Sequence, residues 1–204
     1  MTKRHLTQTK RFSAIIFLLT IVMLATAPPT TMEAAVAVPG IVAAKYESEA
    51  RGALEGAFQK LQSGDYVALY EALPAASRRR VSRARFVSAL ERTRGMYELE
   101  RLEIGSVHVA GDLAVADTVV YGRVLRPLSG EGKIIARQYM VREGGQWRVT
   151  TGERSTVGPL LAAHPGFARQ FPPRTPRILL KQNGRWVDAS SLAAAMRRNR
   201  RAQQ

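Results

Sequence analysis

His108 and Asp117 are the residues of this chain best typed and spaced for acid/base chemistry. Imidazole and carboxylate can exchange protons near neutral pH if the fold brings them together. They sit in VHVAGDLAVADTVVY (residues 107–121), where apolar residues alternate on both sides of Gly111-Asp112. That pattern predicts a hairpin with a two-residue turn. In this register Ala110 faces Leu113, His108 faces Val115, and Ser106 faces Asp117. Alternation then places Ser106, His108, Asp117 and Tyr121 on one face, with Val107, Val109, Ala114, Ala116 and Val120 on the other. Histidine and aspartate become diagonal cross-strand neighbours. The apolar set is the expected core face, which leaves the polar set as a solvated face. A slip of one residue would exchange the two.

Other polar groups have plainer readings. Tyr66, Tyr70 and Tyr97 could line a pocket, yet Tyr66 and Tyr70 share helical spacing with Leu69 and Leu73 and so read as packing residues. Trp147 and Trp186 each follow a turn and are expected as lids on the core. Arg78, Arg79, Arg80, Arg83 and Arg85 fall within eight positions. Placed near the start of a helix, they would oppose the macrodipole, so an anionic partner is one reading and a solvated face the other. Arg197, Arg198, Arg200 and Arg201 form a second cluster. His5, His108 and His164 are isolated, so no metal site is expected. No glycine-rich run opens a helix before a Lys-Ser/Thr pair, and no cofactor is expected. With no cysteine, disulfides, thiolate sites and a cysteine nucleophile are excluded.

The elements that must position these residues follow a leader. Lys3, Arg4, Lys10 and Arg11 precede the uncharged stretch FSAIIFLLTIVMLATA (12–27). A basic start, an apolar stretch and small residues make an export signal or a short membrane anchor. The cations stay cytoplasmic, so the bulk is expected beyond the membrane, in the cell envelope. Net charge is +15, which favours anionic surfaces. Residues 28–40 read as a linker. A helical stripe (Ala43, Tyr46, Ala50, Leu54, Phe58, Leu61) runs up to Gly64, Asp65 caps a second helix that ends before Pro74, and Ser82 caps a third that reaches Gly95. Strands are expected at 99–109, 113–125, 134–142 and 146–150. Phe58, Leu61, Leu69, Tyr70, Phe86, Val107, Val109 and Trp147 are the expected core. The prolines after Ser155 predict an irregular wrapped segment, with a hairpin over 177–188 around Asn183-Gly184 and a basic helix over 192–201.

Helices followed by a meander predict α+β, with helices packed on one face of a curved antiparallel sheet. GDYVALYEAL (64–73), RRRVSRARFVSAL (from Arg78), VAGDLAVADTVV (109–120) and QYMVREGGQWRV (138–149) resemble the nuclear transport factor 2-like superfamily over residues 41–155. Residues 156–204 lie outside that resemblance as an extension. The resemblance implies a cone that holds a ligand, forms an interface or is filled. It also implies Asp117 as a general base and Tyr121 or Tyr139 as an oxyanion donor, should their face line the cone. Members include enzymes, binding subunits and anchored assembly factors, and fold does not choose among them. The expected function is a non-catalytic binding or interaction domain in the envelope. The alternatives are a small exported isomerase or dehydratase-type enzyme and an anchored subunit of a secretion complex. Anionic lipid or an envelope protein is the expected partner, with a homodimer as a further option. Export and the scarcity of aromatics among the arginines disfavour nucleic acid. The ligand is unspecified.

Overall fold

The computed structural model describes residues 39–126, 129–152 and 154–189. The leader, most of the linker and the 192–201 segment with its arginines lie outside the described residues. Helix α1 (Pro39–Ser63) ends where Gly64 takes φ +79°. There the Gly64 and Asp65 amides donate to Leu61 and Lys60 carbonyls, closing a Schellman turn. The Asp65 carboxylate then accepts from the Ala68 amide at 3.0 Å and starts α2 (Tyr66–Glu71).

After Pro74 comes a short helix that the sequence pattern had not indicated, α3 (Ala75–Arg80). Ser82 caps α4 (Arg83–Glu91), as expected. This helix stops at Glu91 rather than Gly95: a 3-10 turn over Arg94–Met96 takes up the remaining residues.

Six strands form one antiparallel sheet: β1 (Tyr97–Ala110), β2 (Leu113–Val124), β3 (Gly130–Glu143), β4 (Gln146–Val149), β5 (Arg177–Gln182) and β6 (Arg185–Asp188). The order is β1-β2-β3-β5-β6, and β4 shares the outer edge of β3 with β5. Met140–Glu143 pair with β4, while Gly132–Ile135 pair with β5. The fold is therefore α+β, as the element order predicted, but helices cover both faces of the sheet rather than the one expected.

The hairpin register holds near the turn, with Ala110 opposite Leu113 and His108 opposite Val115. It shifts between Ile104 and Val107, so the expected pairing of Ser106 with Asp117 is replaced by a bulge of two residues against one. A bulge leaves carbonyls unpaired, and α1 satisfies them. Arg51 donates to Ile104 O (3.1 Å) and Gly105 O (2.9 Å). At a second shift, between Leu99 and Arg101, Gln62 donates to Leu99 O at 2.8 Å.

Three cores result. Ala50 and Leu54 of α1 pack on Val107, Ala114, Ala116, Met140 and Trp147, the face expected to be apolar. Tyr66, Tyr70, Leu73, Phe86 and Leu90 close a second core between α2 and α4. Phe58 is only half-buried, and so are Leu61, Leu69 and Val109, which sit at the borders of these clusters. The third core corrects the reading of the extension. Helices α5 (Arg154–Ala162) and α6 (Pro165–Gln170) are regular where an irregular segment was expected. They bury Val157, Leu161 and Phe167 against Leu113, Val115 and Tyr139 on the opposite sheet face.

Candidate functional site

The face carrying His108 and Asp117 is partly covered by the extension rather than fully solvated. A cleft of about 190 Å³ lies at the margin, lined by Ser106, His108, Asp117, Arg137 and Phe171 among others. Sheet pairing sets Asp117 directly opposite Arg137. Arg137 binds it through two bonds, Nε to Oδ1 and Nη2 to Oδ2, each 2.8 Å. Arg174 of the extension adds a third contact to Oδ2 at 3.3 Å. The Arg137 side chain is only 8% exposed, whereas that of Asp117 is 49% exposed. The hydrogen bond from Arg137 holds the Asp117 carboxyl below its ordinary range and outweighs partial burial. A carboxylate so held is a weak general base, and both of its oxygens are engaged.

Both tyrosine candidates are likewise committed. Tyr139 is buried, and its hydroxyl donates to Phe171 O at 2.8 Å; burial raises its pKa. Tyr121 shares the face of Asp117 but lies four residues further along β2, opposite Lys133. Its hydroxyl donates to Glu103 Oε2 at 3.0 Å, which raises its pKa. It does not line the cleft. The His108 ring stacks on Phe171 with centroids 4.9 Å apart. His108 and Asp117 thus share a cleft, but the two tyrosines offer it no free hydroxyl. Arg137, Phe171 and Arg174 are the residues that sequence reasoning missed. Arg137 was legible as the cross-strand partner of Asp117; Phe171 and Arg174 were not, since the extension's return carries no local signal.

Of the expected pocket tyrosines, Tyr66 and Tyr70 are buried and Tyr97 is half-buried. Burial raises the Tyr66 pKa. Tyr70 donates to Arg78 O (3.1 Å) and Val81 O (3.0 Å), tying α2 to the end of α3. It alone of the three borders a second cleft, of about 340 Å³, with Glu71, Ala75, Arg78 and Arg79.

The arginine run does not stand where the sequence had placed it. Arg78, Arg79 and Arg80 form the last turn of α3, where the helix dipole favours cations, while Arg83 and Arg85 open α4. The dipole conflict therefore vanishes for three of the five. Trp147 is buried edge-on to Tyr46 (6.2 Å, 72°), as a core lid should be. Trp186 is not a lid: it is 37% exposed and lies under Lys133, at 4.4 Å from the ring centroid. Among the described residues no group of three His, Cys, Asp or Glu is placed to hold a metal. Among them, too, no helix is long and apolar enough to cross a membrane.

No protein-family model matches this sequence, and no curated protein does. Solved structures do. An NTF2-like protein of unknown function from Pseudomonas putida KT2440 is 23% identical, with 52% of this chain and 82% of that one covered and a TM-score of 0.37. An LEH-like epoxide hydrolase from M. tuberculosis is 18% identical over 58% of this chain and 96% of its own, with a TM-score of 0.35. The functional reading rests on this chain's own residues.

Proposed function

We propose that this chain is an exported or membrane-anchored cell-envelope protein whose α+β domain works by binding rather than by catalysis. The observation that carries the second half is the bidentate pairing of Asp117 with Arg137. It spends the carboxylate that an acid/base mechanism would need, and it fastens the extension to the sheet, since Arg137 Nη1 also donates to Pro172 O at 3.2 Å. Support for the location comes from the basic start and apolar stretch at residues 3–27. Two measurements test the reading. A reporter active only beyond the cytoplasmic membrane, fused after Gln204, should be active; activity from a cytoplasm-only reporter there would refute export. A carbon-detected NMR titration should find the Asp117 carboxyl ionising below the ordinary aspartate range. Ionisation near neutrality would favour the enzyme alternative instead.

A further inference from the structure

The arginines of α3 and α4 raise a question that their helix positions do not answer. Glu71 serves two of them, Arg78 at 3.0 Å and Arg83 at 3.9 Å. Arg79, Arg80 and Arg85 have no carboxylate partner among the described residues. Arg148 of β4 comes to the same edge, donating to Glu71 O at 2.9 Å. A cleft of about 340 Å³ lies at this edge, lined by Tyr70, Glu71, Ala75, Arg78 and Arg79. Arg79 in the cleft and Arg80 and Arg85 on α3 and α4 leave this edge with guanidinium groups free of carboxylates among the described residues, which suits bidentate recognition of phosphate.

Its position is the second observation. The β3–β4 hairpin holds both this edge and the N-terminal half of α1. Arg142 donates to Tyr46 Oη at 2.9 Å and Trp147 packs on the Tyr46 ring, while the neighbouring Glu143 accepts from the Ala75 amide at 2.9 Å. Tyr46 lies about 10 Å along the helix from Pro39, at 1.5 Å per residue. Residues 28–38, even fully extended, reach at most about 40 Å. A chain tethered through residues 12–27 therefore keeps Tyr46, on which the hairpin packs, within about 50 Å of the anchor, a span that lets this edge reach the bilayer.

We propose that the α3–α4 arginine edge docks on anionic phospholipid headgroups of the membrane to which the leader delivers the chain. This rests on the envelope reading above, and it deepens that reading by naming the partner. The membrane supplies what α3 and α4 lack, phosphate oxygens for Arg79, Arg80 and Arg85. The opposite end of the sheet, at the β5–β6 turn, would point away.

The absence of cysteine allows a clean test in the full chain. An environment-sensitive fluorophore is attached at Ala76→Cys, an exposed position on α3, or at Asn183→Cys on the β5–β6 turn. Each protein is reconstituted into phosphatidylcholine vesicles with or without about 30% phosphatidylglycerol. The label at position 76 should brighten severalfold on the anionic vesicles alone. That gain should vanish at about 0.5 M salt, where screening shortens the field to a few ångströms. The label at 183 should not respond. Replacing Arg79, Arg80 and Arg85 by Gln should remove the response with an unchanged melting curve, and replacement by Lys should retain much of it. Equal signals on the two vesicle types, or equal signals from wild type and the Gln variant, would overturn the docking. The fusion reporter separates the two proposals: an active reporter with a silent label rejects the docking alone. An inactive reporter rejects the location and leaves only headgroup affinity.

Discussion

At the residue scale the deciding pair is Asp117 with Arg137. Because folding lowers the Asp117 pKa, the pair's stabilisation is fully present above the ordinary aspartate value of about 4 and is lost as pH falls through the lower folded value. Half of the carboxylate faces solvent, so Asp117→Asn should cost only about 1 kcal/mol at pH 7. The variant's deficit should shrink in urea melts run progressively below pH 4; a deficit constant from pH 7 to pH 3 would contradict the pairing. The two tryptophans offer a contrast of burial. Trp147, 7% exposed at the centre of the first core, should cost about 3–5 kcal/mol when cut to Ala. Trp186, held by lysines on the surface, should cost about 1 kcal/mol or less. Comparable losses in thermal melts would mean that the burial of one of them is misjudged.

At the scale of elements, the two β1 bulges decide how α1 meets the sheet. Gly122 stands opposite Leu99, beside the bulge between Leu99 and Arg101. A Cβ there would lie 2.3 Å from Glu98 O, a backbone atom that cannot swing away. Gly122→Ala should therefore destabilise by about 1–3 kcal/mol. Gly52, inside α1, has nothing within 4 Å of its would-be Cβ. Gly52→Ala should stabilise by about 0.5–1 kcal/mol through helix propensity alone. Denaturant midpoints moving in opposite directions for this pair would agree with the bulge geometry; a neutral Gly122→Ala would not. The turn at Asn183-Gly184 carries its own explanation, since both residues take positive φ (49° and 78°), as its sequence implies.

At the scale of the whole molecule, the extension belongs to the fold. Strand β5 extends the sheet beside β3, and α5 and α6 cover Leu113, Val115 and Tyr139. Ending the chain at Gly152 would bare that apolar surface, so the truncated protein should bind a hydrophobic dye and lose cooperative melting; a cooperative, dye-silent truncation would show that residues 41–152 suffice. Much of this was written locally. Helical stripes, the Asp65 and Ser82 caps and the glycine turns determined the elements, because each depends on neighbours within a few positions. The apolar face of the 107–121 hairpin was legible for the same reason. The bulge at Gly105-Ser106 was not, since it depends on Arg51 reaching across from α1 to take two carbonyls. Nor was the state of Asp117: residue type allowed a base, but a strand partner twenty positions away and an extension returning over the sheet settled its charge. The sequence by itself determined α1, α2, α4, the hairpin strands and which residues could do chemistry, while α3, α5 and α6 took shape only in the tertiary structure. Only the tertiary structure decided which of those residues remain free, because partners distant in sequence consume a donor or acceptor without leaving a local trace.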